Sequence, residues 1–245
     1  MNVVILGATK GIGRALARRL ASRGDRLFLL GRDLQDLERS ARDIEIRAHN
    51  TTPIGFGACD LSAPETFPAA LDRAVAALAS VDVVVVSAGD FATQPELEAD
   101  VNRTRRLLDV NFTNTVIFCE EARTRLLAKG GTLCVFSSVA GDRGRKPVIL
   151  YGAAKAGLSH YLEGLDHKYR ARGLRVICVK PGFVKTSMTS GLRPPPFAGE
   201  PDAVAADVVR AIDRGQPVVY TPRIWWAVML VIRMLPRAVM RRIDF

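Results

Sequence analysis

Short runs of valine, isoleucine and leucine recur along the chain, and longer stretches with amphipathic spacing separate most of them. Apolar runs of about four to eight residues are typical of buried strands, whereas the stretches between them have helical periodicity. We place strands near residues 2–6, 26–30, 54–57, 81–86, 132–137, 174–179 and 217–220. Because strands that alternate with helices pair in parallel, this order predicts an α/β fold with helices on both faces of one sheet.

The two most apolar runs identify the middle of that sheet. VDVVVVSAG (81–89) and GTLCVFSS (131–138) offer no polar face, as expected of strands that helices cover on both sides. We therefore predict a doubly wound, Rossmann-type sandwich of three layers around a central, mostly parallel seven-stranded sheet. The 245 residues fit one large domain, in which residues 1–222 form the main unit and residues 223–245 a helical tail.

Charge and cysteine content argue against several classes of function. The net charge of +10 favours anionic partners, but the arginines are scattered and no nucleic-acid-binding motif accompanies them, so we expect no nucleic-acid partner. The four cysteines lie far apart without metal-ligand spacing, which predicts reduced core thiols and no metal site. Because no signal-peptide pattern precedes the first strand, we expect a cytoplasmic protein.

A glycine-rich turn follows the first predicted strand. In GATKGIG, Gly7, Gly11 and Gly13 lack the Cβ atoms that would keep a pyrophosphate away from the backbone at the start of the next helix. The spacing is GxxxGxG rather than GxGxxG, but the strand, turn and helix context is the same. The turn, with Thr9, Lys10 and Ile12, is therefore a candidate dinucleotide site, and a merely tight turn is the alternative.

A second motif, YGAAK (151–155), indicates acid–base chemistry. Tyr151 and Lys155 are four residues apart, so a helix places them side by side. An ammonium beside a phenol favours the phenolate, and we therefore expect the pKa of Tyr151 to lie below its ordinary value of about 10. The pair follows the strand that ends at Ser137–Ser138 by one loop, close to the sheet edge where α/β folds bind ligands.

Four motifs in this order, GATKGIG, SSVAG, YGAAK and PGFVKT, resemble those of the short-chain dehydrogenase/reductase family in its compact single-domain branch. The resemblance covers nearly the whole chain and implies that residues 1–222 are a dinucleotide-binding and catalytic domain. It implies that Tyr151 is the general acid/base, that Lys155 binds the nicotinamide ribose and tunes the tyrosine, and that Ser138 holds the substrate oxygen. We prefer Ser138 to Ser137 because the family's serine precedes a V-x-G-like turn. Asn111 in DVNFTN resembles the asparagine that supports a water relay to the lysine.

The resemblance also implies contacts to the cofactor from later strands. Asp60 and Leu61 in CDLS resemble residues beside the adenine, and Thr186 resembles the residue that binds the nicotinamide carboxamide. Pro181, Gly182 and Val184 shape the same loop. Where the family has N-N-A-G, this chain has Val86, Ser87, Ala88 and Gly89. The last two still permit close backbone approach, but the loss of both asparagines puts the support of the sheet and the cofactor in question.

The second predicted strand bears on which nicotinamide cofactor is bound. LFLLGRD (27–33) has Gly31 where a member that prefers NAD would carry an acid for the ribose hydroxyls, and Arg32 then suits a 2′-phosphate. Lys10 adds a second cation. Asp33 is the counter-argument, although it has the position of a cap for the next helix. We therefore expect NADP(H) in preference to NAD(H).

These expectations together predict a reductase that uses NADPH to convert a ketone or aldehyde into an alcohol, with Tyr151 as the proton donor. The first alternative is an NADP-binding sensor or scaffold without turnover, a class that usually lacks the Tyr/Lys pair. The second is a membrane-surface protein that acts through its basic tail. By resemblance to the family, a homodimer or homotetramer is expected. The Pro-rich segment SGLRPPPFAGEPD (190–202) is expected to be a functional loop.

The tail RIWWAVMLVIRMLPRAVMRR (223–242) departs from the rest of the pattern. A helix from Arg223 to Leu235 would be about 20 Å long, too short for a hydrocarbon core of about 30 Å. It therefore lies on a membrane, at the inner face if the protein is cytoplasmic, or packs on protein as a lid or subunit contact. The tail also resembles the endings of decaprenylphosphoryl-keto-erythro-pentose reductases within the family, which implies a hydrophobic or lipid-linked carbonyl substrate.

Overall fold

The computed structural model describes residues 1–48 and 53–244 and has a parallel sheet at its centre. Seven strands of the described residues pair in the order β3-β2-β1-β4-β5-β6-β7, and every pair is parallel. They are β1 (Asn2–Leu6), β2 (Arg26–Gly31), β3 (Gly55–Ala58), β4 (Val83–Val86), β5 (Gly131–Phe136), β6 (Leu174–Pro181) and β7 (Val218–Thr221). The predicted doubly wound α/β fold is confirmed, and each strand lies within two residues of its predicted position.

Helices connect the strands and cover both faces of the sheet. The connecting helices are α1 (Gly11–Ser22), α2 (Leu34–Ala48), α3 (Phe67–Leu78), α4 (Gln94–Ala99), α5 (Val101–Leu108), α6 (Asn114–Leu127), α7 (Ile149–Tyr169) and α8 (Pro201–Arg214). The tail forms α9 (Ile224–Met234) and, after Pro236, α10 (Arg237–Met240). The predicted loop 190–202 is irregular until Pro201, which opens α8 because proline is tolerated at the first helical position.

Alternate residues of each strand supply two separate core layers. In β4, Val84 and Val86 face the layer built around Phe67 and Phe118, whereas Val83 and Val85 face the layer with α1, α2 and α8. This explains why the central strands are apolar throughout, since neither face of the sheet meets water. The four cysteines are buried and form no disulfide, as predicted: Cys59, Cys119, Cys134 and Cys178.

Helix α9 packs against the edge of the domain. Its buried residues Trp225, Met229 and Ile232 follow helical spacing and form a small apolar cluster with Val139, which lies just after β5. The guanidinium of Arg143 donates to the carbonyl of Leu235 at 2.8 Å and fixes the end of the helix. One face of α9 thus packs on the domain, and its predicted role as a lid or subunit contact stays a prediction. No helix in the described part of the chain has the length and apolar character needed to cross a bilayer.

The buried face of α9 predicts that the tail contributes to the stability of the domain. Met229 is fully buried, and its replacement by alanine is expected to lower the free energy of unfolding by about 2–5 kcal/mol. The neighbouring Leu230 is 44% exposed, so Leu230→Ala should change it by less than about 0.5 kcal/mol. Denaturant titration of both variants measures the difference. Equal stability of the two variants would mean that the tail is not part of the cooperative unit.

Candidate active site

The residues predicted to form the site come together at the carboxyl edge of the sheet. The glycine turn follows β1, Arg32 follows β2, and Asp60 and Leu61 follow β3. Ala88 and Gly89 follow β4, Ser138 follows β5, and the loop 181–186 begins at the last residue of β6. Because β1 lies between β2 and β4, the strand order reverses beside it, and α/β folds bind ligands at such a point.

Two glycines of the turn are required by the close approach of neighbouring backbone. Gly7 has a φ of +96°, and a Cβ there would lie 2.5 Å from the amide nitrogen of Ala88. A Cβ at Gly13 would overlap the carbonyl oxygen of Gly7. The start of α1 therefore packs directly on the turn that precedes it, and its first amide groups face the cleft without side chains in the way.

Ser87 supports this turn, and sequence reasoning missed its role. Its hydroxyl donates to the carbonyl of Leu6 at 3.0 Å and to that of Gly7 at 3.3 Å, while its amide donates to Leu6 at 2.9 Å. Ser87 thus joins the end of β4 to the glycine turn, in the segment where the family's asparagines are lost. The signal in the sequence was a hydroxyl residue, able to donate a hydrogen bond, in place of an asparagine of the family.

The loop after β6 closes the cleft from the other half of the sheet. A methyl group of Thr186 lies 3.2 Å from the position that a Cβ at Gly11 would take, so this loop touches the glycine turn. The base of the loop is closed by paired backbone hydrogen bonds, from Lys185 to Gly199 at 3.0 Å and from Gly199 to Phe183 at 2.8 Å. A cavity of about 1180 Å³ lies between this loop, the glycine turn and α2, and Tyr151 is not among its lining residues.

Basic and acidic side chains both line this cavity. Lys10 and Arg14 lie on its α1 side, and Arg39 on its α2 side, where Asp36 pairs with both Lys10 at 3.8 Å and Arg39 at 2.5 Å. Arg14 and Arg39 were not predicted, because their contribution depends on how α1 and α2 pack. Arg32 is exposed at the end of β2 but does not line the cavity.

Asp33 acts as the cap of α2, as the sequence suggested. One carboxylate oxygen accepts hydrogen bonds from the amides of Gln35 at 2.8 Å and Asp36 at 3.0 Å. The bond from the Asp36 amide, with that from Gln35 and the nearby Arg39 and Lys10, holds the pKa of Asp33 below its ordinary value. One oxygen of this carboxylate is therefore engaged in the start of the helix, as expected of a cap.

Asp60 and Leu61 lie at the third strand's end and shape a turn there. The carboxylate of Asp60 accepts from the amide of Ser62 at 2.8 Å, and the carbonyl of Leu61 accepts from the side chain of Asn114 at 2.7 Å. Leu61 is itself buried. Both residues border the same edge of the sheet as the glycine turn, and their contact with adenine stays a prediction.

The two serines after β5 have different environments. Ser137 is buried, and its hydroxyl lies 2.9 Å from the carbonyl of Lys155 and 2.7 Å from the hydroxyl of Ser159, which fixes α7 against the sheet. Ser138 is partly exposed, and its hydroxyl bonds to Tyr151 while accepting from the amide of Ala140 at 3.1 Å. The geometry favours Ser138 over Ser137 as the residue that reaches a ligand.

Burial gives Tyr151 and Lys155 shifted pKa values. Burial raises the pKa of Tyr151 to about 12, although the hydrogen bond with Ser138 lowers it, so the predicted direction was wrong. Burial likewise lowers the pKa of Lys155 to about 8. The ammonium lies 5.9 Å from the centre of the tyrosine ring and donates to the carbonyl of Phe136 at 3.0 Å, so desolvation outweighs its attraction for a phenolate. Tyr151 therefore keeps its proton at neutral pH and has the protonation state of an acid.

Asn111 lies in a π-helical turn (Asp109–Thr113) between α5 and α6. Its side-chain amide donates to the carbonyls of Asp90 at 2.7 Å and Leu107 at 3.1 Å and accepts from the amide of Asp90 at 3.2 Å. A Cβ at Gly89 would lie 3.0 Å from the side-chain oxygen of Asn111 and 3.8 Å from the ammonium of Lys155. The wider turn thus brings Asn111 and Lys155 to opposite sides of the space that Gly89 leaves open.

Two aromatic residues complete the site and were not predicted. Phe91 packs edge-on against the ring of Tyr151, with ring centres 5.3 Å apart. Trp225 of α9 lies against Gly182, where a Cβ would overlap the indole ring, and its N–H donates to the carbonyl of Phe197 at 3.1 Å. The tail therefore touches the loop that contains Pro181, Val184 and Thr186, and Val184 is held by a backbone bridge to Gly199.

These features fit a nicotinamide dinucleotide. The glycine turn leaves backbone amides open beside a cavity to which Lys10 and Arg14 contribute cations, which suits a pyrophosphate. Gly89 leaves a gap beside a buried ammonium, and an added Cβ would fill it. The two halves of the cleft touch through Gly11 and Thr186, so a ligand that crosses from one half to the other is enclosed.

Comparison with known proteins identifies the class that this fold and site define. The family described as short chain dehydrogenase matches residues 1–196. The chain therefore belongs to the short-chain dehydrogenase/reductase family of oxidoreductases, which confirms the resemblance inferred from its four motifs.

Individual relatives agree with this assignment. The uncharacterized oxidoreductase Rv2073c of Mycobacterium tuberculosis is 34% identical over 99% of this chain and 96% of its own length. Carbonyl reductase family member 4 of Danio rerio is 30% identical over 77% of this chain and 78% of its own. Among solved structures, a short-chain type dehydrogenase/reductase from Mycobacterium ulcerans superimposes with a TM-score of 0.81 at 22% identity, over 89% of this chain and 87% of that one.

Replacement of Ser87 by alanine tests the unusual support of the glycine turn. The variant loses the one hydroxyl hydrogen bond that Leu6 and Gly7 share, worth about 0.5–1.5 kcal/mol, so dinucleotide affinity should fall by about two- to ten-fold. Calorimetric titration with the reduced cofactor measures the change. Ser22→Ala, at an exposed position in α1, is the control and should bind like the unchanged protein. Unchanged affinity in Ser87→Ala would show that the glycines alone hold the turn.

Proposed function

We propose that the protein is an NADPH-dependent reductase that converts a ketone or aldehyde into an alcohol. The observation that supports this most directly is the arrangement of Ser138, Tyr151 and Lys155 at one end of the cleft, with a tyrosine that keeps its proton. The bound dinucleotide would supply the hydride. Carbonyl reductase family member 4, a relative at 30% identity, is named for the same reaction class.

The residues of the chain would supply the positioning and the proton. Ser138, which is partly exposed and bonded to Tyr151, would orient the carbonyl oxygen, and the phenol of Tyr151 would donate its proton as the oxygen gains negative charge. The ammonium of Lys155 would then stabilise the tyrosinate that remains, an attraction that grows as the proton leaves. Phe91 and the buried surroundings keep water from competing for this proton.

Three charges support NADPH over NADH. Gly31 leaves no acid at the end of β2, and the acid that follows, Asp33, is engaged in capping α2. Lys10 and Arg14 line the cavity beside the glycine turn, and Arg32 lies at the end of the adjacent strand. A 2′-phosphate needs such cations, whereas the ribose hydroxyls of NADH need an acceptor.

The surroundings of the cleft support a hydrophobic substrate, which includes the lipid-linked carbonyls that the tail resemblance implies. The loop 185–198 exposes three large apolar side chains, and Trp225 of α9 contacts the loop at Phe197. The exposed residues of the loop are Met188, Leu192 and Phe197. Large apolar groups on a loop beside a cleft are suited to apolar ligands.

Replacement of Tyr151 by phenylalanine tests the function. The variant lacks the proton donor but keeps the ring that packs on Phe91, so carbonyl reduction should fall by about 10²–10⁴-fold. NADPH oxidation should be followed with a panel of ketones, aldehydes, 3-oxoacyl thioesters and lipid-linked ketosugars. NADPH binding should persist, as measured by calorimetric titration. Retained turnover on a substrate that the unchanged protein reduces would refute the assignment of Tyr151.

Removal of the cations tests the cofactor preference. The double variant Lys10→Ala with Arg32→Ala loses charge-assisted bonds to the 2′-phosphate, so kcat/KM for NADPH should fall by about 10–100-fold while that for NADH changes little. Arg42→Ala removes an exposed arginine of α2 that pairs with Glu38 and is the matched control. If the double variant loses both cofactors equally, the two cations serve the pyrophosphate or the fold rather than the 2′-phosphate.

A further inference from the structure

Helix α9 has a second apolar face that the described chain does not cover. Opposite the buried residues, the helix presents to solvent a stripe at helical spacing, in which Val231 is 61% and Met234 78% exposed. We call this stripe the outer face of α9, and it consists of Ile224, Trp226, Ala227, Leu230, Val231 and Met234. A helix that is apolar on all sides is normally enclosed, so this face is suited to a further partner.

Arginines surround the outer face, and none of them forms an ion pair among the described residues. One arginine precedes the helix, one lies in its last turn and three follow it, whereas residues 223–243 contain neither aspartate nor glutamate. All five are exposed: Arg223, Arg233, Arg237, Arg241 and Arg242. No described carboxylate lies within ion-pair distance of them. On α2, in contrast, the exposed Arg39, Arg42 and Arg47 each pair with an acid of the same helix.

This charge pattern distinguishes between possible partners. A second copy paired through the same face by two-fold symmetry would bring the arginines of both copies together, which is unfavourable without acids between them. An anionic bilayer offers apolar chains to the stripe and negative headgroups to the arginines at the same time. We propose that the outer face of α9 docks the protein on the surface of an anionic membrane, with the helix axis in the plane of the headgroups.

The dimensions of the tail agree with a surface position. The eleven residues of α9 span about 16 Å, about half of the hydrocarbon core, so the helix lies in the interface and does not cross it. Trp226, which is 58% exposed, provides the amphipathic ring typical of the headgroup region. Trp225 donates to the carbonyl of Phe197 from the other side of the helix, so docking places this end of the loop 185–198 about one helix diameter from the membrane surface.

Vesicle sedimentation with the full chain tests the proposal. Vesicles made of equal parts phosphatidylcholine and phosphatidylglycerol should bind the protein, and added salt should weaken the binding, whereas pure phosphatidylcholine should bind it weakly. Val231→Glu with Met234→Glu should reduce binding by about ten-fold or more, since two apolar anchors become acids. Ile46→Glu, at a 75% exposed position on α2, is the matched control and should bind normally.

A second set of variants tests the charge. Replacement of Arg233 and Arg237 by glutamine should weaken binding by about five-fold for each arginine, with a smaller dependence on salt. Tyr151→Phe should bind vesicles like the unchanged protein, which separates docking from the proposed reaction. Because the changed residues are exposed, circular dichroism should show the same folded state in all variants.

Two results would overturn the proposal. The first is equal binding to both kinds of vesicle, or binding that the paired glutamates at positions 231 and 234 leave unchanged. The second result has two parts. The unchanged protein binds no vesicles, and the variant with glutamates at positions 231 and 234 is a smaller assembly than the unchanged protein, as measured by light scattering. That second result would assign the outer face of α9 to contact between copies of the chain.

Discussion

The close approach of β1 and β4 at the glycine turn is the constraint on which the cleft depends. The chain reverses its strand order beside β1, so the turn after Leu6 must fit between the ends of two neighbouring strands. Gly7 permits the contact with Ala88, and Ser87 fixes it by bonding to the carbonyls of Leu6 and Gly7. Any larger residue at Gly7 would separate the strands and remove the amide groups of α1 from their place in the cleft.

Burial, rather than the attraction between the two groups, determines the protonation of Tyr151 and Lys155. Desolvation disfavours the charged form of either residue, so it raises the pKa of Tyr151 and lowers that of Lys155. Below pH 8 the lysine keeps its charge, and the tyrosine keeps its proton at any pH well below 12. Tyr151 therefore holds its proton in the absence of a ligand, and the proton would leave only where a negative charge develops on a group beside it.

Most of the fold was predictable because parallel strands buried on both faces are apolar throughout. The motifs also placed Ser138, Tyr151 and the glycine turn at one edge of the sheet, since every parallel strand points its carboxyl end to that edge. The direction of the Tyr151 shift was not predictable, because it depends on how deeply α7 packs and on the bond from Lys155 to Phe136. Trp225 was missed as a neighbour of Gly182 because an evenly apolar helix does not indicate which side faces the domain.

The two faces of α9 correspond to the two alternatives that the sequence left open for the tail, which were packing on protein and contact with a membrane. The inner face of α9 is part of the domain, since Met229 is fully buried and Trp225 touches Gly182 and Phe197. The outer face is separated from that contact by the width of one helix. Helix α9 is a regular helix, so a displacement of its outer face also displaces its inner face. A partner on the outer face would act on the loop after β6 only if it bound one position of that loop more tightly, and the same loop closes the cleft against Gly11. If the partner prefers one position of this loop, its binding changes the affinity of the cleft for its ligand. By linkage, the ligand then changes the affinity for the partner by the same factor.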